Sequence, residues 1–396
     1  MQTKRLWMAF ILGLLASFGP FTIDMYLPAF PIISDEFKTS ISNVQLSLTA
    51  CLFGLAIGQL FVGPLSDIYG RRKPLLIGLI TYAVSSVFCA ISNSIWIFIL
   101  FRFIQGASGA CGIVIARAIV RDLYSGPQLT KFFALLMLVS GAAPIFAPIF
   151  GGQLLKFTAW HGVFIVLAVL GLCMFLLVLF GLRETLPAER RATEGIAATF
   201  LSYRNLFKDR IFMGYAFAQG FVYAAMFSYI SGSPFVLKNM YGLSPQQFSL
   251  FFAMNGIGLI IATQTTGRLA GKIHERNMLR FGLGLASISS FFLFAAIVLQ
   301  AHLAFILIPL FFVISSVGII GTTCFSLAMQ NQGRSAGRAS ALLGVLSFIF
   351  GAVAAPLVGI SKANTALSMG LSILLCNLCA IFCYYFIACQ KEKRLQ

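Results

Sequence analysis

Twelve runs of about 20 mostly apolar residues constrain this chain of 396 residues more than any other feature. A helix needs about 20 apolar residues to cross the hydrocarbon core of a bilayer, so each run is long enough to span it. The runs are continuously apolar and do not alternate, which favours helices over a transmembrane barrel. We therefore predict an all-α membrane protein with twelve transmembrane helices. The predicted spans are 6–27, 43–64, 74–91, 95–118, 131–152, 162–182, 211–231, 247–270, 278–299, 303–326, 340–360 and 366–388.

The composition excludes a soluble protein. Hydrophobic residues make up 59% of the chain and charged residues only 10%, whereas an ordinary soluble domain carries about 25% charged residues. So few charges cannot cover the surface of a water-soluble fold of this size. Soluble enzymes, disordered chains and secreted disulfide scaffolds are excluded on this ground.

The net charge of +17 is explained by membrane topology. When the 28 basic residues are sorted by alternate predicted loops, 23 fall on one side, four on the other, and Arg102 lies inside a span. Basic residues concentrate in cytoplasmic loops, so both termini are predicted to be cytoplasmic. The charge therefore gives no reason to expect a nucleic-acid partner.

The longest stretch without a predicted span divides the chain into two halves. We predict an N-terminal six-helix bundle over 1–183, a cytoplasmic linker over 184–210, and a C-terminal six-helix bundle with a short basic tail over 211–396. A weak internal repeat supports this division, since residues 63–75 after the second span resemble 267–279 after the eighth. Such repeats are common in transporters.

Asp24 is the only one of the eleven acidic residues that falls inside a predicted span, and Arg102 is the only basic one deep in a span. A charged side chain there costs roughly 2.5–3.5 kcal/mol on insertion scales, so each is expected to face a cavity or a partner. One interpretation is that the two side chains simply neutralise each other. The other is proton coupling at Asp24, because the charge state of a carboxylate responds to hydration and to nearby charge, whereas arginine does not release its proton.

The turn after the second span has the composition of a conformational latch. Gly70 permits a tight reversal, and Asp67 lies at the carboxyl end of a helix, where the helix dipole disfavours a negative charge. A basic residue nearby, or the amino end of a helix in the other half, is expected to compensate Asp67. The alternative is a basic turn that only sets topology. The predicted latch comprises Gly63, Asp67, Gly70, Arg71, Arg72 and Arg121.

The fifth span contains Pro144, Pro148, Gly151 and Gly152, which are expected to kink it and to let it pack closely against a helix of the other half. Generic packing of membrane helices is the alternative. Polar and aromatic side chains in other spans are candidates for lining a substrate cavity. These candidates are Tyr26, Gln105, Tyr223, Phe227, Tyr229 and Asn255.

Four motifs resemble those of the major facilitator superfamily. Residues 63–73, GPLSDIYGRRK, resemble its signature loop between the second and third spans, and residues 102–106, RFIQG, resemble its second motif. Residues 143–152, APIFAPIFGG, resemble the antiporter motif, with Ala147 where many antiporters have glycine. Residues 23–31, IDMYLPAFP, are similar to the signature of the Bcr/CflA drug-resistance transporters.

This resemblance implies the major facilitator fold and a proton-coupled multidrug efflux antiporter of the bacterial inner (plasma) membrane. Small, mostly apolar drugs such as bicyclomycin, sulfonamides or phenicols would leave by alternating access. The proton is the coupling ion, no cofactor or metal is expected, and the partners expected are small-molecule drugs and the lipid bilayer, with the protein a monomer. Two alternatives remain: export of an endogenous metabolite such as an amino acid, and an intramembrane enzyme or sensor, which would need a nucleophile–base pair or metal ligands.

Overall fold

The computed structural model describes residues 2–124, 126–191, 204, 206–330, 332, 336–359 and 365–389, and these residues are almost entirely helical. Ten of the helices in this part are long and apolar enough to cross a membrane, and a bent pair makes eleven. A further helix, Gly126–Leu154, occupies the position of the fifth predicted span, although several of its side chains lie outside the described part. The predicted all-α membrane fold is confirmed.

Two compact units make up the chain. The first comprises Met1–Lys38 and Ala50–Thr199, and the second comprises Thr39–Thr49 and Phe200–Gln396. Of the predicted linker, residues 192–203 and 205 lie outside the described residues, as does the basic tail at 391–394. The predicted boundaries at 183 and 211 stay predictions.

Helices α1 to α8 run from the amino terminus to the start of the linker. They are α1 Gln2–Ala16, α2 Phe18–Asp24, α3 Phe30–Glu36, α4 Ile41–Tyr69, α5 Arg72–Ala90, α6 Ile95–Leu123, α7 Gly126–Leu154 and α8 His161–Gly181. Helices α9 to α14 follow the linker. They are α9 Arg210–Tyr241, α10 Pro245–Leu269, α11 Glu275–Val298, α12 Leu303–Met329, α13 Ala336–Leu357 and α14 Thr365–Phe382, followed by a π-helix at Cys383–Cys389.

The first span differs from its prediction. It is broken, with a bend of 42° between Phe10–Ala16 and Phe18–Glu36, and it continues beyond the predicted end at residue 27. Pro28 and Pro31 do not stop it, because each lies in the first turn of a new short helix, where the missing N–H has no helical partner to lose. Asp24 therefore lies twelve residues, or about 18 Å of helix, before Glu36, and not near the end of the span.

Two other helices run further than predicted. Helix α4 continues through Pro64 to Tyr69, so Gly63 and Asp67 are helical and only Gly70 makes the turn, with φ +87°. Helix α9 continues through Pro234 to Tyr241. Gly242 caps its carboxyl end in the left-handed conformation, with φ +66°, which favours glycine. A membrane helix tolerates proline when its neighbours satisfy the freed carbonyl, so neither Pro64 nor Pro234 ends its helix.

An aromatic cluster forms the core of the first unit near Glu36, at the end of α3. Trp160 is fully buried at the start of α8, and its indole N–H donates to Glu36 Oε2 at 2.6 Å. The ring of Phe98 lies 5.5 Å from that of Trp160 and 5.2 Å from that of Phe164. Tyr26 lies 5.5 Å from Phe164. These rings fix the residues that follow Asp24 against α6 and α8.

Candidate functional site

Asp24 and Arg102 lie close together in the first unit without forming an ion pair. Asp24 ends α2, is 5% exposed, and its Oδ1 has no hydrogen-bond partner in the described part of the chain. Arg102, fully buried in α6, donates from Nη2 to the Thr22 carbonyl at 2.9 Å. Its Cζ lies 4.1 Å from the centre of the Tyr26 ring. The guanidinium therefore contacts the residues two before and two after Asp24.

Arg102 is held by neutral groups. Nη1 donates to Gln105 Oε1, one turn further along α6, and the Tyr26 ring offers a cation–π contact. Among the described residues the ion pairs join other side chains, and the Nε–H of Arg102 has no partner. The interpretation that Asp24 and Arg102 simply neutralise each other does not describe this arrangement.

A buried hydrogen-bond network extends the site into α5. The hydroxyls of Thr22 and Tyr82 lie 2.7 Å apart, and Gln105 Nε2 donates to Ser86 Oγ at 2.6 Å. Ser86 in turn donates to the Tyr82 carbonyl at 2.7 Å. Sequence reasoning missed Thr22, Tyr82 and Ser86. The available signal was a tyrosine and a serine four residues apart in an apolar span, which puts both on one helix face.

The predicted cavity-lining residues separate into two groups. Tyr26 and Gln105 both contact Arg102 in the first unit. In the second unit, Asn255 Nδ2 donates to the Tyr229 hydroxyl at 2.8 Å, so these two are also brought together.

Phe227 and Tyr223 lie elsewhere on α9. Phe227 is 3% exposed and packs so closely on Gly351 that a Cβ there would come within 2.1 Å of its ring. Tyr223 is half-buried, and its hydroxyl lies 3.6 Å from a Cβ built on Gly321. Cavity lining by these side chains stays a prediction.

The glycine of the antiporter-like motif packs within its own half. A Cβ on Gly151 would lie 1.8 Å from the Met25 carbonyl oxygen, so α7 meets the backbone next to Asp24. Close packing of this motif against a helix of the other half stays a prediction. Gly152 is also buried, and Pro144 and Pro148 lie inside α7, which remains one continuous helix. The motif therefore positions the Asp24 segment.

Arg71 is the centre of the turn after α4. Its Nε donates to Asp122 Oδ2 at 2.8 Å and its Nη2 to Oδ1 at 3.4 Å. Nη1 donates to Asp67 Oδ1 at 2.5 Å and to Ser66 Oγ at 2.8 Å. Burial alone would lower the pKa of Arg71, but the two carboxylates hold its pKa above the ordinary value. Arg71 is thus the residue that compensates Asp67.

The other predicted latch residues have different roles. Arg72 donates from Nη2 to the Leu179 carbonyl at 2.5 Å, at the end of α8. Arg121 is exposed. Gly63 is helical, and a Cβ there would meet only the Val114 side chain, at 3.9 Å. Asp122 is the residue that the sequence did not single out, because its contact with Arg71 joins positions 51 residues apart.

Glu184 closes the turn from the start of the linker. Its carboxylate accepts hydrogen bonds from the backbone amides of Arg71 and Arg72 at the amino end of α5, and from those of Thr185 and Leu186. Partial burial would raise the pKa of Glu184, but these amides outweigh it and lower the pKa below the ordinary value. The positive φ of Gly70 favours glycine, and a Cβ there would lie 2.5 Å from Glu184 Oε2 and would displace that carboxylate.

Comparison with known proteins agrees with the fold and with the motifs. The family model described as Major Facilitator Superfamily matches residues 9–356. The chain is 47% identical to the uncharacterized MFS-type transporter YdgK of Bacillus subtilis, over 93% of this chain and 92% of that protein. It is 33% identical to the bicyclomycin resistance protein homolog of Haemophilus influenzae, over 96% of each.

Two solved structures share the fold at low sequence identity. A bacterial homolog of the human lysosomal transporter Spinster superposes with a TM-score of 0.78 at 14% identity, covering 98% of this chain and 97% of that one. The xylose transporter XylE of E. coli superposes with a TM-score of 0.72 at 14% identity, covering 97% and 99%. Both are transporters, and at this identity they support the fold alone.

Proposed function

The chain belongs to the Major Facilitator Superfamily, and we propose that it is a proton-coupled antiporter that exports small, mostly apolar drugs from a bacterial cell by alternating access. The likeness to the bicyclomycin resistance protein homolog of Haemophilus influenzae and to the multidrug resistance protein MdtL of Shewanella oneidensis, which is 29% identical over 84% of each chain, supports drugs as the substrate class. We place the protein in the plasma membrane with both termini cytoplasmic, on the strength of its charge distribution.

One observation supports the proton coupling: Asp24 is a buried carboxylate, the buried guanidinium of Arg102 contacts the residues two before and two after it, and each of the two side chains keeps an unpartnered polar atom. These atoms are Asp24 Oδ1 and Arg102 Nε. Arg102 keeps its proton throughout, so Asp24 is the group that can exchange one. When Asp24 is ionised, the free Nε–H of Arg102 is available to it, and a charge-assisted hydrogen bond of this kind is strong in a dry site.

The coupling then follows because the proton and the guanidinium of Arg102 compete for the Asp24 carboxylate. Proton binding removes the charge that Arg102 attracts, so the residues around Asp24 relax to the arrangement described above. Proton release restores the attraction and draws the Asp24 segment towards α6. Gly151 meets the backbone at Met25, so this movement is transmitted directly to α7. A site near mid-membrane whose contacts change with protonation is what alternating access requires.

Transport in proteoliposomes with an imposed pH gradient tests the proposal. The substrate panel comprises bicyclomycin, a sulfonamide, a phenicol and an amino acid, and the variants are Asp24→Asn and, as a control, Asp35→Asn in the exposed end of α3. We expect gradient-driven drug export by the native protein and by Asp35→Asn, and its loss in Asp24→Asn with drug binding retained. Full gradient-driven export by Asp24→Asn, or export of the amino acid alone, contradicts the proposal.

A further inference from the structure

An apolar groove opens on the surface of the second unit, between α10, α11 and α12. Its volume is about 510 Å³. The floor includes Gly258 and Phe311, which approach so closely that a Cβ on Gly258 would lie 2.6 Å from the Phe311 ring. Ile261, Phe281 and Phe312 form walls that are between 43% and 64% exposed. The groove is therefore an open, apolar channel on the outside of the helices.

The groove has the length of one membrane leaflet. Along α10 it extends from Gly258 to Leu269, eleven residues or about 16 Å of helix. The hydrocarbon core of a bilayer is about 30 Å thick, so this is close to half of it. One end lies near mid-membrane and the other lies at the turn between α10 and α11. Such a length matches the acyl chain of a single phospholipid.

A flexible acyl chain is narrow enough to follow the channel between these side chains. A transmembrane helix from a second copy is the competing occupant, and the oligomeric state of the variants described below distinguishes the two.

Basic residues surround the loop end of the groove. Leu269 and Ile273 line this end, and each is directly preceded by an exposed cation, Arg268 and Lys272. Arg276 directly precedes Asn277, which also lines the groove.

The one carboxylate in this turn, that of Glu275, is already engaged. It accepts hydrogen bonds of 2.8 Å from Ser326 Oγ and from Gln330 Nε2 on α12. Arg268, Lys272 and Arg276 outnumber this one carboxylate, so the rim is cationic where a lipid headgroup would lie.

We propose that this groove binds one anionic phospholipid, with an acyl chain between α10, α11 and α12 and the headgroup phosphate beside Arg268, Lys272 and Arg276. Basic side chains next to a membrane attract anionic lipids, by about fivefold in affinity for each residue. The acyl groove adds shape selectivity, which a basic surface alone does not have. The site is separate from Asp24 and does not depend on the direction or the coupling of transport.

Native mass spectrometry of the purified full chain in detergent tests the site. Phosphatidylglycerol and phosphatidylcholine are added separately at equal concentrations, with inorganic phosphate as a competitor. The rim variant is Arg268→Gln/Lys272→Gln, and its matched control is Lys208→Gln/Arg210→Gln, which removes two exposed cations outside the groove. Thr265→Trp fills the groove from an exposed lining position.

We expect the native protein and the control to retain one phosphatidylglycerol with about a 100-fold preference over phosphatidylcholine. The rim variant should lower that preference about 25-fold, and Thr265→Trp should bind both lipids more weakly while its thermal unfolding shows that it is folded. Unchanged lipid binding in either variant overturns the proposal. Displacement of the lipid by inorganic phosphate, or a dimer that Thr265→Trp abolishes, also overturns it, because the occupant is then a free anion or a second copy.

Discussion

Glu184 and Arg71 are 113 residues apart in the chain, yet Glu184 Oε1 accepts a hydrogen bond of 2.8 Å from the backbone amide of Arg71. The second oxygen accepts one of 3.1 Å from the amide of Arg72. Because the amino end of a helix carries partial positive charge, the carboxylate stabilises α5 as well as joining two distant segments. The turn after α4 is thus closed by the residue that begins the predicted linker.

Replacing Glu184 by glutamine should lower stability in a pH-dependent way. The pKa of Glu184 is lowered in the fold, so its contribution is present above the unfolded pKa of about 4.3 and is lost as pH falls through the folded pKa. At pH 7 we expect Glu184→Gln to cost about 0.5–1 kcal/mol, since the side chain is exposed and screened by solvent. Thermal unfolding in detergent at pH 7 and at pH 3 measures the difference.

The control for this prediction is Glu189→Gln, an exposed acid five residues further along. It should unfold like the native protein at both pH values. As pH falls through the lowered pKa of Glu184 the native carboxylate becomes neutral, so the difference from Glu184→Gln should be smaller at pH 3 than at pH 7. An equal difference at both pH values is incompatible with a charge effect at the helix end.

The contact of Gly151 with Met25 should make any side chain at position 151 costly. A Cβ at Gly151 would lie 1.8 Å from a backbone oxygen, which cannot rotate away. We expect Gly151→Ala to destabilise the first unit by about 3 kcal/mol or more and to abolish transport. Gly141→Ala on the same helix is the matched control, because no described atom lies within 4 Å of its added Cβ. That change should be neutral, or stabilising by up to about 1 kcal/mol. Equal melting temperatures for the two variants contradict the assigned packing.

The sequence predicted the elements of this site better than their contacts. Asp24 and Arg102 were identified because a charge inside a span is costly wherever it lies, a property that needs no knowledge of neighbours. Arg71 was identified as one of several cations that could compensate Asp67. Which cation compensates Asp67, and which carboxylates contact Arg71 and its backbone amide, depends on how α4, α6 and the linker pack together. The local sequence pattern does not contain that information.

The helix ends were less predictable for a related reason. The predicted spans that end at 27, 64 and 231 stop at or just before Pro28, Pro64 and Pro234, whereas the helical segments continue past all three prolines. Proline removes one donor, but its effect on the helix depends on whether a neighbouring group satisfies the freed carbonyl. That information lies in the tertiary structure.

Asp67 and Asp122 should differ in what they control. Asp122 accepts two hydrogen bonds from Arg71 and its side chain is 16% exposed, whereas Asp67 accepts one and its side chain is 52% exposed. We expect Asp122→Asn to cost about 1.5–3 kcal/mol of stability and Asp67→Asn less than about 1 kcal/mol. If Asp67 is a conformational latch, Asp67→Asn should nevertheless lower transport severalfold with drug affinity unchanged.

Thermal unfolding and drug uptake, measured on the same preparations, separate the two roles. Cysteine-accessibility labelling of the cytoplasmic side should also rise in Asp67→Asn, because the closed state is weakened. Normal transport together with unchanged labelling in Asp67→Asn contradicts the latch. Asp67 is then only a surface ion-pair partner of Arg71.

The number of protons carried by Asp24 has an electrical consequence. A single exchangeable carboxylate moves one proton per cycle, so export of a neutral drug brings one net charge inward, while export of a monovalent cation is electroneutral. An inside-negative membrane potential should therefore add roughly 2.3 kcal/mol per 100 mV to the driving force for neutral drugs only. At a constant pH gradient, clamping such a potential with potassium and valinomycin should raise the steady-state outside-to-inside concentration ratio of a neutral substrate by up to about 50-fold and leave that of a cationic one unchanged. Asp24→Asn carries no proton, so the pH gradient should not drive export of either substrate in this variant. If the potential also drives export of the cationic substrate, more than one proton moves per cycle, and the single-site mechanism is then wrong.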